Sequence, residues 1–391
     1  MRLLGTIASA WLLLFWVDTG LGLFDELVAQ LVGLHLLGWV RGMTSGLGLL
    51  AMPFVWLAVG LSPAIPVRTY LPPLLFTAWM ALGAAPLSIV FLGTDELGLL
   101  LIGLQSLVAA WTSWLAIRRR GAGLFGELEI PGPRWGRFAA WAGVHALVVP
   151  PLLAVYAFGS ADLAVRRATG GFVSIGLDGV RVAHRVYVHR DRTVDLIGMI
   201  HLGRRSAYEE LFAPIPIEDT LVLEEGVRDT GGLLVTGPVY ERVASTLGLE
   251  AQAPVAEMTT LKTRNADVDV SSFSEDTRGL LRKVFAIYTA EDPAAAVLDY
   301  LIYVRGQKDP EALVSELFED IIHRRNQHLL SELDRALEER TRVVVPWGAY
   351  HLPGIEEGLV ARGFERRSER VITLVPFAAV LGIEAPAADP P

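Results

Sequence analysis

The feature that most restricts this chain is a set of uncharged apolar windows long enough to cross a lipid bilayer. Crossing about 30 Å of hydrocarbon as a helix takes roughly 20 residues. Gly42–Val67, Thr69–Thr94, Leu97–Ile117 and Phe138–Ala161 each run that far without a formal charge. Leu3–Val17 follows Arg2 as a shorter fifth window. Its continuation, Asp18-Thr-Gly-Leu-Gly-Leu-Phe, offers no small-residue cleavage site, so a retained anchor is expected rather than a signal peptide. Leu21–Val40 is apolar but holds Asp25, Glu26 and His35, and reads as an interfacial amphipathic helix, with a further span as the alternative.

Charge divides the chain in two. Residues 1–117 carry eight charged side chains: Arg2, Asp18, Asp25, Glu26, Arg41, Arg68, Asp95 and Glu96. The expectation is a multi-pass α-helical membrane region over residues 1–160, of five helices or six. A soluble α/β (α+β) domain then occupies 161–391, with a central sheet flanked by helices and a helical insertion. Arg118, Arg119, Arg120, Arg134 and Arg137 cluster between the last two windows, whereas Asp95 and Glu96 follow the third. The positive-inside rule puts the basic loop in the cytoplasm and the C-terminal domain on the extracytoplasmic side, against the opposing weight of Arg41, Arg166 and Arg167. His145, inside the last window, is expected to bond a neighbouring helix.

Composition removes several function classes. A formal charge of −9, with no basic run beyond Arg118–Arg120, is wrong for phosphate neutralisation, so nucleic acid is not an expected partner. The chain has no cysteine, which rules out disulfides, iron–sulfur clusters and thiolate ligands or nucleophiles. A transport route is set aside because the windows hold almost no ionisable groups. The expected partners are the bilayer and a peptide or small-molecule substrate.

Beyond residue 160 the periodicity changes. Gly171–Gly176, Val180–His189 and Thr193–Ile200 alternate or run continuously in β-branched residues, separated by the turn signals Asp178-Gly179 and His189–Arg192. Thr220–Glu224 and Arg342–Pro346 read as strands buried on both faces. Ser206–Phe212, Pro238–Leu247, Ser274–Thr289 and Pro293–Val304 read as helices. From Pro310 to Arg340 the apolar residues Val314, Leu317, Phe318, Ile321, Ile322, Leu329, Leu333, Ala336 and Leu337 recur at three- and four-residue steps. Arg325 takes a place in that stripe where an apolar residue is due. An inward guanidinium needs an acidic, carbonyl or ligand partner. Arg324 falls on the flank.

Two segments share one plan. Val194–His201 and Val343–His351 are β runs that end in Gly-x-x-His, through Gly198 and Gly348, and each leads into a helix. Composition alone yields about one such tetrapeptide by chance, so the weight lies in the repeated strand–turn–helix setting. A third strand, Thr220–Glu224, runs into the paired carboxylates Glu224 and Glu225. Two histidines and a glutamate suit a divalent metal with coordination positions left for water or substrate, zinc included. Either glutamate fits, and Glu224 is favoured because it directly follows the apolar run. Asp267 and Asp269 form an alternating acidic pair, read chiefly as solvated loop acids with membership of the site as the alternative.

The order of these motifs resembles the TraB/PrgY/GumN family and its relatives the Tiki proteases, in a wider grouping with erythromycin esterases and ChaN-like haem-binding proteins. The matching residues are Gly198–His201, Leu221–Glu225, Arg325-Asn326 and Gly348–Gly354-Ile355, within about Thr193–Phe377. The resemblance implies a site of His201, the strand glutamate, Arg325 and His351, and a manganese- or cobalt-dependent peptidase as one activity. Asn326 and Tyr350 are expected behind the site, as are Gly198, Gly348 and whichever glutamate is not the ligand. The leading expectation is a membrane-tethered metallohydrolase. Its rival is a non-catalytic domain that sequesters a peptide or small ligand.

Overall fold

A computed structural model describes residues 2–82, 96–118, 132–233, 249–252, 255–290, 292–307 and 309–383. The chain divides into two compact units, residues 1–164 and 165–391.

The first unit is helical: Arg2–Val32, Gly38–Leu61, Val67–Leu82, Glu96–Arg118 and Trp135–Ala168. Four of these helices are long and apolar enough to cross a membrane, the exception being the 16-residue Val67–Leu82. The second half of the Thr69–Thr94 window lies outside the described residues. The expected break between an anchor and an interfacial helix is absent, because Arg2–Val32 is one helix of 31 residues. Asp18, Asp25 and Glu26 are buried among the helices, 8%, 1% and 6% exposed.

Neighbouring helices satisfy these carboxylates. Ser45 Oγ and Gln105 Nε2 donate to Asp18 at 2.9 Å each, and Thr44 Oγ1 donates to it as well. The Leu37 N–H and His35 Nδ1 reach Asp25 at 2.6 and 3.2 Å, and Arg41 stands 3.8 Å from it. Interhelical bonds of this kind hold helices together where no hydrophobic drive separates helix from lipid. They also remove the premise that the apolar windows lack ionisable groups. His145 bonds the Trp141 carbonyl of its own helix at 2.8 Å, and its ring packs against Trp56 of a neighbour.

The second unit is a seven-stranded mixed sheet with helices. Its strands are β1 (Val173–Gly176), β2 (Gly179–His189), β3 (Arg192–Met199), β5 (Thr220–Glu224), β7 (Lys262–Asn265), β8 (Arg342–Gly348) and β9 (Glu365–Pro376), while β4 (Leu202–Gly203) and β6 (Glu250–Ala251) form a separate pair. β3, β8, β5 and β7 lie side by side and parallel, in that order. β2 adds antiparallel to β3, and β9 adds antiparallel to β2. Four parallel strands thus end along one edge, at Met199, Gly348, Glu224 and Asn265, which is where open α/β sheets carry ligands. β7 and β9 escape the sequence reading, although the second half of β9, Val371–Val375, is an apolar run. β7 is Lys-Thr-Arg-Asn, and the first half of β9 is charged and exposed.

Trp347, Leu196, Ile197, Leu223 and Val343–Val345 fill the core beneath the helices Arg325–Glu339 and Leu352–Ala361. Inside it, Asp195 of β3 accepts from Arg342 Nε of β8 at 2.7 Å and lies 2.7 Å from His184 Nε2 of β2, so one buried carboxylate ties three strands together. Between β7 and β8 lies the helical insertion: Glu275–Thr289, Pro293–Arg305 and Pro310–Phe318. Each helix starts at a side-chain cap: Ser274 accepts from Thr277 N–H, Asp292 from Ala294 and Ala295, and Asp309 from Ala312. The expected helix Pro238–Leu247 lies outside the described residues.

The long 310–340 helix is not uniform. A π-helical stretch, Glu319–Arg324, separates Pro310–Phe318 from Arg325–Glu339. The expected stripe holds only after it, where Arg325, Leu329, Leu333 and Ala336 are buried; before it Val314 and Phe318 are 51% and 43% exposed, and Leu313 and Asp320 face inward. The wider turn shifts the phase of everything that precedes Arg325.

Candidate functional site

At the C-terminal edge of the parallel strands a cavity of about 610 Å³ opens between the sheet and the helical insertion. Its polar wall is made by His201, Glu224, Glu225, Asp229 and Arg325, and its apolar wall includes Val255, Val270, Phe273, Leu281, Phe285 and Ile321. His201 arrives on the bend after β3 and is exposed at the rim, its carbonyl held by the Gln252 N–H at 2.9 Å. Glu224 closes β5. Because β5 ends there, strand alternation no longer sends the two glutamates to opposite faces, and both line the cavity.

Beneath the cavity sits a buried network centred on Arg325, 7% exposed. Its Nε and Nη2 donate to the two oxygens of Asp267 at 2.9 and 2.6 Å, a bidentate pair. Nη2 also donates to Glu225 Oε1 at 2.6 Å, and Nη1 donates to His351 Nε2 at 3.0 Å. A guanidinium has no acceptor, so His351 Nε2 is the unprotonated nitrogen and Nδ1 carries the hydrogen. That hydrogen is donated to Asn326 Oδ1 at 2.8 Å, and Asn326 Nδ2 returns a bond to the His351 carbonyl at 3.1 Å. Trp347 packs edge-on against the imidazole at 5.4 Å.

The electrostatics follow from this geometry. Burial, reinforced by the adjacent guanidinium, pushes the His351 imidazole down to about 4, with Glu225 and Asp267 opposing, so it is neutral at neutral pH. Burial alone would lower the Arg325 pKa, yet Asp267 and Glu225 hold the guanidinium above its ordinary value. Glu225 is fixed at both ends, since Oε2 accepts from the Gly348 N–H while Oε1 takes the Arg325 bond. A Cβ on residue 348 would stand 3.1 Å from Glu225 Oε2, so glycine there leaves room for the carboxylate.

The structure therefore brings His201, Glu224, Glu225 and Arg325 to one cavity and sets His351 and Asn326 directly behind Arg325. It does not assemble His201, Glu224 and His351 as a metal-binding set, and among the described residues no group of three or more His, Asp or Glu is placed to hold an ion. The fit fails at His351, whose two ring nitrogens are engaged by Arg325 and Asn326; a cation there would meet the guanidinium charge. Glu225, not Glu224, is the carboxylate bonded to Arg325, and it lies 3.7 Å from His351 Nε2.

Three other expectations change. Asp267 is not a solvated loop acid: it is fully buried and is the main partner of Arg325. Only its position shortly after an unrecognised strand, together with the unmet need of an inward arginine, signals this. Asp269 does belong to the surface loop, where Ser271 and Thr230 hold its carboxyl well below the usual range. Tyr350 is 48% exposed and turns away toward Phe318, because Ala349 and His351 on either side of it face inward. Gly198 serves the sheet and not the site, for a Cβ there would stand 2.9 Å from the Phe172 carbonyl oxygen. No protein-family model, curated protein or solved structure matches the chain.

Proposed function

We propose that the C-terminal unit is a membrane-tethered hydrolase of amide or ester bonds, with a peptide carrying an apolar side chain as its substrate class. The observation that carries this reading is the convergence of an imidazole and two carboxylates, from separate chain segments, on one half-apolar cavity at the sheet edge. The TraB/PrgY/GumN-like order of the motifs supports it.

In this reading the apolar wall holds the substrate side chain and excludes water from the reacting bond. Glu225, immobilised by Arg325 and Gly348, accepts a proton from the attacking water, and His201 at the rim delivers one to the leaving group. Arg325 acts through Glu225: its N–H groups are committed to Asp267, Glu225 and His351, so it orients the base. Asp267 and the His351–Asn326 pair fix the guanidinium in turn. Anchoring by the apolar helices, with the domain on the extracytoplasmic side, follows from the basic residues between the last two spans. A second reading, sequestration without turnover, draws support from the commitment of Arg325, which leaves it unavailable as an oxyanion donor.

The test is hydrolysis of a peptide-ester library by the full-length chain in detergent, with and without chelator. Glu225→Gln and His201→Ala are each expected to lower kcat by about 10²–10⁴-fold while ligand retention persists. Activity unchanged in both variants overturns the acid–base assignment. Retention without any product favours sequestration. Activity that is lost to chelator and restored only by manganese, cobalt or zinc replaces the Glu225 base with a metal on His201 and Glu224.

A further inference from the structure

The helical unit holds a cavity of its own, of about 280 Å³, whose wall is shared by four helices: Arg2–Val32, Gly38–Leu61, Val67–Leu82 and Glu96–Arg118. Asp18 lines it together with Thr44, Ser45 and Gln105, the three groups that donate to its carboxylate. All three donors are neutral, and among the described residues no ion pair includes Asp18. Arg41, the cation on the same wall, stands instead 3.8 Å from Asp25 and 4.0 Å from Glu26, so two other acids already offset it. Neutral donors solvate a carboxylate without cancelling its charge, and a buried anion with no cation is far more costly than a paired one. Thr44 and Ser45 share Oδ1, whereas Gln105 takes one of the two acceptor directions of Oδ2, which leaves the other open. The remaining wall is largely apolar and includes three aromatic side chains, with the Phe15 ring 6.1 Å from those of Trp11 and Phe76.

We infer that this cavity binds a small organic ammonium with an apolar body, the ammonium donating to Asp18 Oδ2 and the body lying among Trp11, Phe15 and Phe76. A carboxylate beside aromatic rings selects that chemistry twice over, since the ring quadrupoles attract the same positive charge that the anion pairs. A bare metal cation is the poorer occupant, because it needs a shell of oxygen ligands that an aromatic wall does not offer. A neutral molecule leaves the carboxylate uncompensated. The volume lies at the small end of ligand sites, which suits a monoamine and not a lipid or a peptide. Ligand sites between the helices of a bundle are built in this way, from side chains on facing helices. The site lies wholly within the first unit and is independent of the hydrolase reading of the second. It gives the apolar helices a binding role besides anchoring.

The full-length chain in detergent is dialysed to equilibrium against tritiated phenethylammonium and, separately, against 2-phenylethanol, which carries a hydroxyl on the same body in place of the charge. Saturable binding of the amine is expected, about tenfold to a hundredfold tighter than that of the alcohol. Asp18→Asn keeps the shape of the side chain and removes its charge, and should bring the amine down to the affinity of the alcohol. Gly48→Leu narrows the cavity without touching a charge, since a Cβ there would stand an ordinary 3.9 Å from Trp11 Nε1, and should weaken both ligands. Equal affinities for the two ligands in the parent chain, amine binding unchanged in Asp18→Asn, or no saturable amine binding at all overturns the inference. Should Asp18→Asn aggregate on size exclusion, a Gly48→Leu chain that elutes as the parent does decides: lost amine binding upholds the site, and unchanged binding overturns it.

Discussion

Replacing Arg325 with methionine probes the network most directly, since the thioether fills much of the same volume without charge. Asp267 is fully buried and Glu225 lies mostly inside, so the variant leaves two carboxylates in a low-dielectric setting with no cation between them. Breaking a buried pair in this way costs about 3–5 kcal/mol. At pH 8 His351 is neutral and offers no relief. As pH falls, the imidazole, held neutral by burial but no longer by the adjacent guanidinium as well, can take up a proton between the two acids, so the deficit relative to the parent chain should shrink toward pH 6. Hydrogen exchange on the full-length chain in detergent reads the domain separately from the helical unit. The β8 amides of Val343–Val345 are expected to exchange roughly a hundredfold to several thousandfold faster at pH 8. Stability within about 0.5 kcal/mol of the parent, the scale of an ordinary surface substitution, would falsify the view that Arg325 is the hub. A deficit independent of pH would refute the assignment of His351 as the neutral partner.

Two further outcomes are expected. In the parent chain the depressed pKa of His351 contributes stability that is fully present above its ordinary value near 6.5 and lost as pH falls through about 4; the loss amounts to about 3 kcal/mol. His351→Gln should flatten that part of the stability–pH curve measured by thermal unfolding, and an unchanged curve would show that other groups carry it. Gly198→Ala should lower the domain's stability by about 1–3 kcal/mol without touching the cavity, because the added carbon meets backbone at Phe172 that cannot step aside. A neutral result there means that β3 and the Phe172 segment can separate at little cost.

Much of this architecture is legible in the residues because it rests on local patterns. Apolar length marked the helices of the first unit, and β-branched runs marked β2, β3, β5 and β8. The imidazoles at strand ends and the inward Arg325 were also visible, since a charge in an apolar stripe contradicts its surroundings. Less legible was anything set by contacts across the fold. Asp267 looks like any loop acid until β7 lays it against the helix Arg325–Glu339. His351 looks like a free ligand until Arg325 takes its Nε2. Each is decided by a partner far along the chain, and single-sequence periodicity carries no information about such partners.

The π-helical turn at Glu319–Arg324 makes one rod behave as two gears on a common shaft. Downstream, Leu329, Leu333 and Ala336 lock the angle at which the guanidinium enters, and upstream the insertion answers to a separate angle. The upstream half can therefore exchange its surface residues, and with them the shape of the cavity's apolar wall, while Arg325 keeps its aim. Excision of a single residue such as His323 would mesh the two halves into one continuous thread and force either the insertion or the arginine to rotate by about 100°.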